Sequence, residues 1–241
     1  MALEAPITLA LHDVGVDHRR GLIEDVRRGL TDAPKHLPSR YFYDERGCEL
    51  FEAITELPEY YVTRAEEALL RRHAEGIVQA TQPVSLVEIG AGSCRKTSLL
   101  IDAARRVGYG RDFVPFDISE EAVRAASGEL VGRFPGLHVY GMVGDFEKHL
   151  AAIPRLGRQL VLFLGSTIGN LEPDERIAFL RQVRALLEPD DAFLLGVDLV
   201  KSEEELNAAY NDSEGITAAF NRNLLSFLNR ELGADFVPEA F

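Results

Sequence analysis

The feature that most constrains the fold is a series of five short apolar segments, each followed by an amphipathic segment, that starts near residue 84. The apolar segments are VSLVEI, DFVPFDI, LHVYGMV, QLVLFLG and AFLLGVDLV. Strands of a parallel sheet are covered by helices on both faces, so they are apolar along their whole length. The sequence therefore predicts an α/β fold built on a parallel sheet.

Helices are predicted on both sides of this region. Apolar residues recur at helical spacing in HRRGLIEDVRRGL and again over residues 50–57, and the segment between these two stripes is expected to be an ordered loop. A long helix is predicted from Thr63 to about Ala80, with Thr63 and Glu66 forming a capping box. After Tyr210 the sequence is helical again, and no further strand is predicted.

The charge balance argues against nucleic acid as a partner. The 241 residues include 26 Lys and Arg against 39 Asp and Glu, which gives a formal charge of −13. A polyanionic partner requires a basic face that releases counterions from its phosphates, and no segment of this chain concentrates basic residues in that way.

The chain also lacks the sequence signs of a membrane or metal protein. No apolar run approaches the roughly 20 residues that span a bilayer, and the amino terminus has no basic signal region. We therefore expect a cytoplasmic protein. Cys48 and Cys94 form no CxxC motif and the six histidines are scattered, so neither a disulfide nor a metal site is expected.

Ligands of open parallel sheets bind outside the carboxyl ends of the strands, so the loops after the strands are the candidate site. The first loop, VEIGAGSCRKT, contains Gly90 and Gly92, which allow a tight turn and close approach of a ligand to the backbone. The third glycine of a dinucleotide motif is replaced by Arg95, which weakens a nicotinamide interpretation. The alternative is a plain strand-to-helix turn.

Acidic residues follow the next two strands. Asp117 can accept hydrogen bonds from both ribose hydroxyls, and because Ser119 holds the helix-capping position, we expect Asp117 to be free for this role. Asp145 and Phe146 can bind an adenine amino group and stack on its ring, the alternative being a cap and a core side chain. Acids beside a glycine-rich turn suit a nucleoside without phosphates, which favours S-adenosylmethionine.

The loop after the fourth strand contains Asn170 in STIGN. Its amide offers an acceptor and two donors where the substrate of a methyltransferase would meet the methyl group. A turn or capping asparagine is an equally good interpretation of this residue taken alone.

Long contiguous motifs then give a specific resemblance. The segments are PKHLPSRYFYDERGCELFEAITELPEYYVTRAE, VEIGAGSCRKT, VPFDIS, GDFE, LFLGSTIGNL, GVDLVK and ITAAFNRNLL. Together they resemble the L-histidine Nα-methyltransferase family, whose members trimethylate histidine to hercynine in ergothioneine biosynthesis. The resemblance implies a Rossmann-like class I methyltransferase core with S-adenosylmethionine as cofactor, and a largely helical substrate domain.

The resemblance also implies roles for single residues. The positions that match its S-adenosylmethionine contacts are Gly90, Lys96, Asp117, Asp145 and Phe146. The positions that match its histidine-binding residues are Tyr60, Asn170 and Tyr210, with Phe51 and Tyr43 lining the same pocket. Tyr43 is the candidate catalytic residue, orienting the amine. Without the resemblance, a core or an interface would be an equally good assignment for the aromatic residues Tyr41, Phe42, Tyr43, Tyr60 and Tyr61.

Three regions are expected on the same basis. Residues 1–62 would begin the substrate-binding domain, 63–200 would form the cofactor-binding core, and 201–241 would start the second part of the substrate domain. Members of the family continue beyond this point, so we expect a fragment or a short form lacking the last strands of the sheet. We expect a monomer acting on L-histidine. The alternatives are a silent S-adenosylmethionine-binding protein, or a methyltransferase for another amino acid or amine.

Overall fold

The computed structural model describes residues 18–241, which form two compact units. Unit 1 comprises residues 64–198, and unit 2 comprises residues 18–63 together with 199–241. Over the described residues, the first unit is therefore one continuous stretch of chain, whereas the second is assembled from two stretches.

Unit 1 contains a parallel sheet, as the apolar segments predicted. Its strands are β1 Ser85–Ile89, β2 Asp112–Asp117, β3 His138–Val139, β4 Met142–Val143, β5 Gln159–Phe163 and β6 Ala192–Leu195. Their order is β3-β2-β1-β5-β6, with β4 pairing to β2, and every pairing is parallel. The predicted α/β class is confirmed.

Two of the predicted strands differ in extent. The third apolar segment forms β3 and β4, which pair with β2 in one continuous register, His138 opposite Asp112 and Met142 opposite Phe116. The fifth segment stops being a strand at Leu195, and Val197 beyond it is exposed. An unbroken apolar run thus marks where a strand lies but does not fix where its ladder ends.

Helices cover both faces of the sheet in unit 1. They are α3 Val62–Thr81, which begins two residues before the unit, α4 Thr97–Arg106, α5 Glu120–Arg133, α6 Phe146–His149 and α7 Pro173–Leu186. Alternate strand residues enter two separate cores: Leu86 lies in one, and its neighbour Val87 lies in the other. This arrangement explains why the strands are apolar throughout.

The start of α3 corrects one prediction. The helix begins at Val62, so Thr63 lies inside it and is not its amino-terminal cap. The carboxylate of Glu66 accepts hydrogen bonds from the backbone N–H of Gly165 instead of capping the helix. The predicted capping box is therefore wrong.

Unit 2 is helical. It contains α1 His18–Thr31, α2 Glu45–Glu56, α8 Glu203–Tyr210 and α9 Ile216–Leu232. Asp44, which the sequence placed in a loop, caps α2 by accepting from the N–H of Gly47 at 2.8 Å. The same carboxylate accepts from Asn223 at 2.6 Å and from Arg230 at 2.8 Å, and so it joins α2 to α9. Over the described residues, no helix has the length and apolar character needed to cross a membrane.

Candidate functional site

The turn after β1 is shaped by two glycines. Gly90 and Gly92 have φ angles of +71° and +49°, a region that residues with a side chain rarely adopt. The N–H groups of Gly90 and Ala91 both donate to the carbonyl oxygen of Phe116, at 2.8 and 3.2 Å. A Cβ built on Gly92 would meet no atom of residues 18–241 within 4 Å, so no described residue fills the space beside this backbone. A ligand can therefore approach this turn closely.

Asp117 joins the ends of β1 and β2. Its Oδ2 accepts from the N–H of Gly92 at 3.0 Å, and its Oδ1 accepts from the N–H of Ser119 at 3.0 Å. Ser119 caps α5, as predicted, by accepting from the N–H of Ala122. The expectation that Asp117 would thereby be left free is wrong, because each of its oxygens already holds a backbone N–H. Burial raises the pKa of Asp117 above its usual value.

Asp145 and Phe146 follow β4 at the start of α6, next to the end of β2. The N–H of Gly144 donates to the carbonyl oxygen of Asp117 at 2.8 Å, which places the two acidic residues at neighbouring strand ends. Asp145 caps α6 by accepting from Glu147 N–H at 2.9 Å.

Phe146 packs within the core on this side of the sheet. Its ring lies 5.6 Å from the ring of Phe163 and 5.5 Å from that of Phe179. The structure therefore realises the capping and core interpretations of Asp145 and Phe146. A contact of either side chain with a ligand therefore stays a prediction.

Lys96 contacts a residue that the sequence assigned elsewhere. Its Nζ lies 2.5 Å from Oε2 of Glu66, whose two oxygens also accept from the N–H of Gly165 at 3.0 and 2.8 Å. Glu66 was predicted only as a helix cap. Glu66 and Lys96 lie far apart in sequence, so no local sequence pattern predicts this contact.

A second carboxyl that the sequence did not single out lies under the glycine turn. Glu88 is the acidic residue within β1 and is only 3% exposed. Burial raises its pKa to about 7, although the neighbouring Thr97 hydroxyl and the Lys96 charge act in the opposite direction. Among the described residues, its Oε2 has no hydrogen-bond partner. An acidic residue inside an otherwise apolar strand was the signal that could have found it.

Cys94 lies in the glycine turn beside Glu88 of β1 and is 3% exposed. Burial and the neighbouring Glu88 raise the pKa of its thiol well above the usual value. Cys94 is therefore a small packed side chain, because a reactive cysteine requires a thiolate.

Asn170 ends a short 3-10 turn, Thr167–Asn170, after β5 and is exposed. The preceding Ser166 has a φ of +59°, an unusual conformation for a residue with a side chain. Its Oγ accepts from the N–H of Asp198 at 3.0 Å, which joins the loops after β5 and β6. The amide of Asn170 thus stands at the same carboxyl edge as the other candidate residues of unit 1.

Four of the predicted substrate residues form one aromatic cluster in unit 2. The rings of Tyr43 and Phe51 are 5.6 Å apart, those of Phe51 and Tyr60 are 6.3 Å apart, and those of Tyr60 and Tyr210 are 5.9 Å apart, all edge to face. Phe220 of α9 also contacts Tyr43 and Phe51. Tyr60 is buried, whereas Tyr210 is 50% exposed.

The candidate residues thus form one group in each unit. Gly90, Lys96, Asp117, Asp145, Phe146 and Asn170 lie on loops at the carboxyl edge of the sheet in unit 1, whereas the four aromatic residues belong to unit 2. In the part of the chain from residue 18 onward, no group of three or more His, Cys, Asp and Glu residues is placed to hold a metal ion.

Comparison with known proteins places this chain among its relatives. Residues 22–241 match the family described as histidine-specific, S-adenosylmethionine-dependent methyltransferases. The chain is 50% identical over 220 residues to Histidine N-alpha-methyltransferase of Mycolicibacterium smegmatis, an alignment that covers 91% of this chain and 68% of that protein. It is 33% identical over 230 residues to Ergothioneine biosynthesis protein 1 of Neurospora crassa, covering 90% of this chain and 26% of that one.

A solved structure shares the fold alone. The crystal structure of a DUF574-family protein from Streptomyces avermitilis superposes with a TM-score of 0.51 at 14% identity, covering 76% of this chain and 75% of the other. The sequence match, by contrast, runs through both structural units. This chain therefore belongs to the family of S-adenosylmethionine-dependent, histidine-specific methyltransferases.

Proposed function

We propose that this protein methylates the α-amino nitrogen of L-histidine three times to give hercynine, the first step of ergothioneine biosynthesis. The observation that carries the proposal is the 50% identity to Histidine N-alpha-methyltransferase over 220 residues. A binding protein without activity, or a methyltransferase for another amine, is the alternative that the test below addresses. Action as a monomer in the cytoplasm stays a prediction.

The residues at the carboxyl edge of the sheet suit S-adenosylmethionine. The open backbone at Gly92 leaves room for a ligand, and Asp117 beside it has acceptor capacity for ribose hydroxyls beyond the two N–H groups that it holds. Lys96 offers an ammonium for the carboxylate of the methionine part. Asp145 and Phe146 would contact the adenine. When bound, S-adenosylmethionine supplies a methyl group that is already activated on a positively charged sulfur.

The protein's task is then to position the reactants. A bond forms from the amine nitrogen to the methyl carbon while the carbon–sulfur bond breaks, with its electrons moving to sulfur. Holding the reacting atoms in line contributes about 7–11 kcal/mol through effective molarity. No nucleophilic side chain is needed, in keeping with the inert, buried Cys94.

The amine must reach this geometry as a neutral nitrogen. In the first two transfers the product ammonium loses one proton to water before the next attack, and the third transfer leaves a permanent positive charge. The Tyr43 hydroxyl is the group that we assign to orienting the lone pair. Tyr60, Asn170 and Tyr210 would hold the histidine as uncharged donors, and Phe51 would line the pocket.

A mass-resolved assay tests the proposal. The chain is incubated with S-adenosylmethionine and a panel of amino acids and amines, and mono-, di- and trimethylated products are separated. We expect trimethylated histidine as the main product. Calorimetry with S-adenosylhomocysteine runs in parallel: binding without any methylated product would favour the silent binding protein, and preference for another acceptor would replace histidine as the substrate.

A further inference from the structure

The carboxylate of Glu66 connects the loops that follow three adjacent strands of unit 1. It pairs with Lys96 after β1, and it accepts from the N–H of Gly165 after β5. Glu66 also lies against Gly196 after β6, since a Cβ built there would come within 1.8 Å of Oε1. Helix α3 thus places one negative charge at the carboxyl edge of the sheet, where ligands of such sheets bind.

Two glycines leave space for the charged side chains of Glu66 and Lys96. A side chain at Gly196 would collide with the Glu66 carboxylate, and a Cβ at Gly165 would lie 3.1 Å from Nζ of Lys96. Gly165 also has a φ of +76°, which most other residues avoid. Both glycines are therefore needed for Glu66 and Lys96 to meet as they do.

Stability alone is a weak reason for such a pair. The side chains of Glu66 and Lys96 are 14% and 19% exposed, so both charges are largely withdrawn from water. The loss of hydration offsets most of the attraction between two such charges, and an apolar pair of similar size often serves stability equally well. The remaining exposure leaves both groups within reach of a ligand.

Two opposite charges side by side match one part of the proposed cofactor. The amino-acid end of S-adenosylmethionine carries an α-carboxylate and an α-ammonium on the same carbon. The Lys96 ammonium has three N–H donors and gives one to Glu66, while the Glu66 carboxylate has acceptor sites beyond those filled by Lys96 and Gly165. Each charge can therefore bind its opposite on the ligand without losing its present partner.

Resting on the proposed function, we propose that Glu66 is a cofactor-binding residue that accepts a hydrogen bond from the α-ammonium of the methionine part, beside Lys96 on the α-carboxylate. Glu66 then selects a zwitterion over a simple anion, because a lone lysine would bind either. In addition, its hold on Gly165 keeps the loop after β5 in register with the turn after β1.

The test measures binding by calorimetry and uses two ligands. One is S-adenosylhomocysteine, and the other is its analogue that lacks only the α-amino group. In Glu66→Gln we expect the affinity for S-adenosylhomocysteine to fall about tenfold, since a charge-assisted hydrogen bond is lost. The affinity for the analogue should change less than twofold. In the unaltered chain, removal of the ligand's amino group should itself weaken binding about tenfold.

Control variants separate this role from a structural one. Glu75→Gln alters an exposed carboxylate on the same helix, more than two turns from Glu66, that accepts a hydrogen bond from Gln79, and it should leave both affinities unchanged. Glu66→Asp keeps the charge but withdraws it by one methylene, and should give a smaller loss for S-adenosylhomocysteine alone. It also provides a folded variant if Glu66→Gln lowers the melting temperature too far.

Each remaining outcome overturns the inference. Equal losses for both ligands would make Glu66 a structural brace, and unchanged or increased affinity for S-adenosylhomocysteine would exclude a favourable contact with its amino group. If the unaltered chain binds neither ligand, the proposed function fails and the inference with it. Binding of both ligands with equal affinity by the unaltered chain would refute the inference alone.

Discussion

Oδ2 of Asp117 lies 3.0 Å from the backbone nitrogen of Gly92, and this hydrogen bond joins the ends of two neighbouring strands across 25 positions of sequence. The acid proposed for the cofactor ribose is thus the same group that holds the glycine turn proposed for the rest of the cofactor. Any change at Asp117 acts on both parts of the site.

The first prediction concerns this shared role. Asp117→Ala should weaken the binding of S-adenosylhomocysteine by at least about 1–2 kcal/mol, because the ribose contacts and the anchor of the turn are lost together. Calorimetry gives the affinity directly. Asp102→Ala, which removes an exposed carboxylate paired with Arg106 on α4, is the matched control and should bind normally. An affinity unchanged in Asp117→Ala would refute the assignment.

The second prediction concerns Glu88 and pH. Because burial raises its pKa from 4.5 to about 7, the folded state holds a proton that the unfolded state has released between these values. The contribution of Glu88 is therefore most favourable below about pH 4.5, declines as the pH rises, and levels off above about pH 7. The difference amounts to about 3 kcal/mol.

Denaturant unfolding at pH 5 and at pH 8 would measure how the contribution of Glu88 to the free energy of unfolding depends on pH. Glu88→Gln carries no titrating group, so its free energy of unfolding should change less between the two pH values than that of the unaltered chain. The same pH dependence in both proteins would show that Glu88 is ionised in the folded state throughout.

The third prediction concerns the start of α9. Asp212 accepts from the N–H groups of Ile216 at 2.9 Å and Thr217 at 2.7 Å. Burial opposes its ionisation, but these hydrogen bonds more than compensate and lower its pKa to about 2. Its stabilising contribution is thus complete above about pH 4 and is lost as the pH falls towards 2.

Asp212→Ala should lower the free energy of unfolding at pH 7 by about 1–2 kcal/mol, because the N–H groups of Ile216 and Thr217 in the first turn of α9 lose their acceptor. Glu214→Ala, two residues away and exposed, should have little effect in the same denaturant titration. Equal stability of the two variants would show that the hydrogen bonds to Asp212 do not stabilise the start of α9.

The fourth prediction concerns the aromatic cluster. Tyr210 contacts Tyr60 through its ring and is half exposed, so Tyr210→Phe should keep the packing and remove only the hydroxyl. We expect kcat/KM for histidine to fall about tenfold, since a donor to the substrate is lost. Binding of S-adenosylhomocysteine should stay the same. A matching loss of cofactor affinity would argue against a role specific to histidine.

The sheet was predictable because its signal is local. The composition of the apolar segments around Val87, Val114 and Val161 is enough to predict that they are buried on both faces. Ser119 was likewise recognisable as a cap from the residues next to it. The break between β3 and β4 was not predicted from the segment LHVYGMV.

Contacts between distant residues account for the rest. The motif TRAE fits a capping box, yet Glu66 binds Lys96 and Gly165, which lie outside the motif. The nearness of Tyr60 to Tyr210 could be expected only through the resemblance to a family, since 149 intervening residues separate them in sequence. Local patterns thus predict elements, whereas the site depends on which elements meet.

The bonds from Asp44 to Asn223 and Arg230 have a consequence for synthesis on the ribosome. Residues 64–198 lie between these partners in the chain, so unit 1 is translated completely before α9 exists. The contacts of α2 with α9 can therefore form only after all of residues 64–198 have been synthesised. Translation order thus favours completing unit 1 before the aromatic cluster, whose Tyr210 and Phe220 are among the later residues to emerge.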